Sequence, residues 1–99
     1  MDPGTVVNTI DKMLEGTGFI ARIAMNDFKN VNIRYMFGEE VDRPLVGTID
    51  TRNVEYRSMD NIIATVKEMT SSYLWKEMKK LLDRQSVIDS KFSGEDYEE

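Results

Sequence analysis

Ninety-nine residues, 40% hydrophobic and 31% charged, suffice for one small folded domain with a single modest core. The absence of His and Cys excludes disulfides, thiolate nucleophiles, Ser-His triads and the usual zinc sites. A formal net charge of −5 excludes a strongly basic nucleic-acid-binding stripe.

That charge is unevenly spread. From Asp89 onward five acids face one base, a net of −4, whereas residues 1–88 hold 13 acids and 12 bases, a net of −1. The chain is therefore a nearly neutral body followed by an acidic end. No apolar run approaches the length of a membrane span, and Met1, Asp2, Pro3 and Gly4 lack the basic start of a secretion signal. With no cysteine to oxidise, the expectation is a cytoplasmic protein without a membrane partner.

Asp2 followed by Pro3 is a helix start: Asp can cap, and Pro suits the first helical position. Val6, Val7, Ile10, Met13 and Leu14 recur at helical spacing, and Gly16 can stop the helix, so residues 3–15 read as a short helix. The pattern then alternates. Phe19, Ala21, Ile23 and Met25 share one side of a strand, and Val31, Ile33, Tyr35 and Phe37 share one side of the next. Residues 26–30 carry the Asn and Asp that a hairpin loop needs. An acidic loop follows, with Glu39, Glu40 and Asp42. Residues 45–49 read as a short strand weakened by Gly47, and residues 54–57 as a brief fourth strand after a turn.

Residues 58–84 hold neither Gly nor Pro and form the longest element of the sequence. Ser58 can cap its start, where Asp60 suits the helix dipole, and Lys79, Lys80 and Arg84 suit the other end. Its apolar face changes direction. Met59, Ile62, Ile63, Val66, Met69 and Tyr73 form a first stripe. The apolar residues then move to Leu74, Trp75, Met78, Leu81 and Leu82, rotated by about a quarter turn at about 100° per residue. Ile88 and Phe92 can extend this second stripe. Thr70, Ser71 and Ser72 stand between the two and compete with helical hydrogen bonding, so the helix either kinks there or runs straight and shows two faces.

The expected fold is α+β: a short N-terminal helix, a four-stranded antiparallel meander and a long C-terminal helix packed on the sheet. Residues 1–92 form the single domain, and residues 93–99 a disordered acidic tail. Helix–sheet–helix order invites comparison with double-stranded-RNA-binding domains. Those need a Lys-rich start to the last helix, and Met59, Asp60 and Asn61 put a negative charge there.

No catalytic residue, cofactor-binding residue or metal ligand stands out. Gly16-Thr17-Gly18 follows a helix instead of preceding one, which makes it a poor phosphate cradle. Glu39, Glu40 and Asp42 lack the regular spacing of a calcium loop. The expectation is a non-enzymatic module that occupies or inhibits a partner protein. That partner would be basic, such as a nucleic-acid-binding protein, and DNA mimicry is the extreme form. The partner-binding residues would be Glu39, Glu40, Asp42, Glu95, Asp96, Glu98 and Glu99, with no direct affinity for nucleic acid. The module is expected to be a homodimer, self-associating through Leu74, Trp75, Met78, Leu81 and Leu82, and the alternative is a structural or assembly subunit whose two-faced C-terminal helix builds a larger oligomer.

Overall fold

The computed structural model describes residues 1–37 and 43–93. Helix α1 (Pro3–Met13) leads into strands β1 (Phe19–Ile23), β2 (Asn30–Tyr35) and β3 (Leu45–Asp50), and a single 3₁₀ turn (Val54–Arg57) precedes helix α2 (Met59–Ser93). The fold is α+β, with a short N-terminal helix, a three-stranded antiparallel sheet in the order β1-β2-β3 and a long C-terminal helix.

Local chemistry sets each boundary. Asp2 caps α1, its carboxylate accepting the Thr5 N–H at 3.0 Å, with Pro3 in the first turn. Leu14 ends the helix, and the chain turns through Gly16 at φ +80° and Gly18 at φ +90°, both in the left-handed region. β1 and β2 pair from Phe19↔Tyr35 to Ile23↔Val31. Their loop is closed by the Asp27 carboxylate, which accepts the Lys29 N–H at 3.0 Å.

β2 and β3 pair from Asn30↔Asp50 to Arg34↔Leu45, with a bulge between Ile33 and Arg34. The bulge leaves Val46 as the extra residue, and its side chain packs toward the core. Buried Thr51 closes the end of this pair: its N–H and its hydroxyl both donate to the Lys29 carbonyl, at 3.0 and 2.7 Å.

The fourth strand expected at residues 54–57 is instead the 3₁₀ turn. The Asn53 side chain accepts the Glu55 N–H at 3.0 Å, and the Asn53 carbonyl accepts the Tyr56 N–H at 2.9 Å. These local bonds turn the chain away from the edge of β3 toward α2.

Both helices cover one face of the sheet. Val6, Ile10 and Leu14 of α1 and Ile62 and Val66 of α2 meet Phe19, Ala21, Val31, Ile33 and Ile49. At about 25 cal/mol per Å² of apolar surface, each buried Ile or Val contributes about 1.5–3 kcal/mol. Tyr73 closes this core, its ring 5.1 Å from that of Tyr35 and 6.0 Å from that of Phe19.

Two alternation readings extend too far. Met25 is fully exposed and Ile23 is exposed, and Phe37 is exposed beyond the last residue of β2. Pairing ends at Ile23↔Val31 and Phe19↔Tyr35, so the two-residue period has no sheet to act on at Met25 and Phe37, whereas Ile23 is the last paired residue of β1 and Ala24 beside it is buried in its place.

α2 runs unbroken through Thr70, Ser71 and Ser72. The Thr70 hydroxyl donates back to the carbonyls of Val66, at 2.8 Å, and Lys67, at 3.1 Å, which satisfies it within the helix. At about 1.5 Å per residue the helix is about 52 Å long. The head occupies only its first half. The molecule measures 66 × 25 × 22 Å with a radius of gyration of 18.5 Å, whereas a compact chain of this length has roughly 13 Å.

Candidate functional site

α2 divides at Tyr73. Before it, Ile62, Val66 and Thr70 are buried. After it no residue is buried, and residues 78–93 are exposed throughout. The last 20 residues of the described helix form a stem about 30 Å long that leaves the head behind.

The stem is not a polar solvated rod. Leu74, Met78, Leu81, Ile88 and Phe92 are all exposed, as are Trp75, Leu82 and Val87. The five residues proposed for self-association therefore lie together on one side of α2, all of them exposed and beyond its last buried residue, Thr70. Leu74, Met78 and Leu81 form the centre of the stripe, with Trp75 and Leu82 on one flank. Trp75, at 67% exposed, is not a core residue. Lys76, Lys79 and Asp83 occupy the remaining faces, and Lys80 bonds Glu77 at 3.1 Å one turn back.

The spacing is regular. Leu74, Met78, Leu81, Gln85, Ile88 and Phe92 are separated by 4, 3, 4, 3 and 4 residues. That is a heptad seam, with Leu74, Leu81 and Ile88 at d and Met78, Gln85 and Phe92 at a. Reading apolar residues alone misses Gln85, because it is polar. The intervals on either side of it were the signal. Its Nε2 donates to the Asp89 carboxylate at 2.8 Å, one turn on along the stem.

The seam begins where the head ends. Its mean direction is turned about a quarter turn from the buried stripe of α2, at about 100° per residue. The seam therefore does not continue the face by which α2 packs on the head.

The seven acidic partner-binding candidates (Glu39, Glu40, Asp42, Glu95, Asp96, Glu98 and Glu99) all lie outside the described residues. Among the described residues, the face of the sheet opposite the helices carries the other sign. A shallow concavity of about 570 Å³ there is lined by Ile20, Asn32, Thr48 and three arginines, Arg22, Arg34 and Arg43, with no acid among its described lining residues. Two of the arginines are tied down. Arg22 pairs with Asp11 of α1 at 2.9 Å, and Arg34 donates to the Arg43 carbonyl at 2.9 Å.

Asp11 also guards an edge. Its other oxygen accepts the Ala21 N–H at 3.1 Å, so a side chain fills a bonding position on edge strand β1 where another strand could dock. A second ionic group sits at the far end of the sheet, where Arg52 reaches Asp27 at 2.7 Å and Asp50 at 2.9 Å. The hydrogen bonds from Arg52 hold the Asp50 carboxyl below its ordinary pKa, and those to Asp50 and Asp27 raise that of Arg52. Both are surface groups joining neighbouring turns. No group of three acidic side chains gathers to hold a metal among the described residues, and no described helix is long and apolar enough to cross a membrane.

No protein-family model matches this chain, and no curated protein or solved structure does either.

Proposed function

We propose that this chain is a non-enzymatic assembly module: an α+β head carried on a helical stem that joins it to a second copy. One observation carries this reading. The stem seam exposes Leu74, Met78, Leu81, Ile88 and Phe92 on a helix projecting past its own core. Most helical stability in proteins comes from packing an apolar face, and the apolar face of this stem is exposed. A partner helix supplies that packing. Large exposed apolar patches mark interaction sites, and heptad spacing selects a helix as the occupant.

The product is a pair of heads held at a fixed separation. Their function as a pair is to present two equivalent surfaces to whatever the assembly joins. Capture of a basic protein by acidic groups is the second reading, and its seven candidate residues lie outside the described residues.

Sedimentation equilibrium tests the reading. The wild-type chain should sediment at twice its own mass, and Leu81→Asp should convert it to a folded monomer with the near-ultraviolet signal of its head retained. A wild-type chain that stays monomeric at the highest soluble concentration removes the proposal.

A further inference from the structure

We infer that the two stems pair in parallel and in register, with Gln85 meeting Gln85 of the second copy at the centre. This inference rests on the self-association just proposed and adds its geometry.

Two arrangements overlap the full seam. In parallel register each seam residue faces its own counterpart. Gln85 then lies against Gln85, and each amide offers a carbonyl and a second N–H to the other, while the Nε2 bond to Asp89 at 2.8 Å is kept. In the antiparallel register of greatest overlap, Leu74 faces Phe92, Met78 faces Ile88, and Gln85 faces Leu81. Two amides are then pressed against aliphatic side chains, each keeping its bond to Asp89 but leaving its carbonyl and second N–H unmet, an arrangement that buried polar groups avoid. A single polar residue at an a position is a known way of fixing coiled-coil register.

The flanking charges point the same way. Parallel pairing sets Arg84, at g, against the second copy's Asp89, at e, twice in the dimer. The antiparallel register brings Arg84 against Arg84 at its centre, offset in part by Glu77 against Lys91.

The heads do not obstruct parallel pairing. Each lies about a quarter turn from its seam, at about 100° per residue, so two-fold symmetry places the heads on opposite sides of the paired stems. The assembly is a rod with two heads at one end and both stem termini at the other.

Disulfide trapping decides the orientation, and the cysteine-free sequence makes single-Cys variants unambiguous. Met78→Cys and Ile88→Cys are oxidised separately and then as a mixture. A disulfide needs Cα atoms within about 7 Å. Parallel pairing links each variant to itself and gives no 78–88 heterodimer. In the antiparallel register, equal positions at 78 are separated by about 15 Å along the axis, so only the mixture links. Gln85→Leu in both variants should let the heterodimer appear, because the penalty on the antiparallel register is removed. A 78–88 heterodimer with Gln85 intact overturns the parallel inference and leaves the assembly reading standing. No linkage in any sample, with monomeric mass by sedimentation, defeats the assembly reading itself and the inference with it.

Discussion

A Cβ on Gly47 would lie 2.7 Å from the Met69 sulfur and 2.9 Å from its methyl group. In sequence, Gly47 is a weak point in a strand. In the fold it is the gap through which α2 settles on β3. Gly47→Ala should cost under about 1 kcal/mol in urea denaturation, because the atoms in its way are the flexible end of Met69, which can shift. Met69→Ala should recover part of that loss, so the double variant should be less destabilised than the sum of the two. Additive losses would mean that the contact does not couple them. The Asp50–Arg52 pair is an exposed group with a smaller role. Its Arg52 hydrogen bonds lower the folded-state pKa of Asp50, so its contribution is present above the ordinary carboxylate pKa of about 3.9 and is lost as pH falls through the folded value. Asp50→Asn should therefore lower the melting temperature slightly at neutral pH, and the difference should close in acid. A difference that persists below the carboxylate range would assign the effect to something other than charge.

At the scale of elements, the head and the stem should respond differently to the same substitution. Ile62 is fully buried in the core, and Ile62→Ala should cost about 2–5 kcal/mol. Ile88→Ala, on the stem, should leave the head's amide protection intact and weaken dimerisation instead. Loss of head protection in the Ile88 variant would place the stem within the head's cooperative unit. The same division explains what could be read in advance. Val31 and Ile33 were legible as core because they alternate within a paired strand, and α1 was legible from its cap and its Gly16 stop. Phe37 and Met25 continued the alternation past the end of the pairing, which sequence period cannot detect. The fourth strand failed because the hydrogen bond that the Asn53 side chain accepts from the Glu55 N–H outweighed the strand pattern of Val54, Glu55 and Tyr56. The rotation of the helix stripe at Tyr73 was visible, but sequence leaves core and interface equivalent. Only the end of the head at Tyr73 separates them.

At the scale of the whole molecule, the shape carries the functional reading. A radius of gyration of 18.5 Å in a 99-residue chain comes from a stem that leaves its core, with an apolar seam and no core of its own to bury it. In the assembly we propose, a helix in that position depends on a second one. Hydrogen exchange of the stem amides, followed across protein concentration, tests that dependence most directly. Amides of residues 78–92 should be protected where the chain is dimeric and should lose protection on dilution, while Val31 and Ile33 in the head stay protected at every concentration. Stem protection that does not change with dilution, in a chain of monomeric mass, would contradict the dependence of the stem on a second copy.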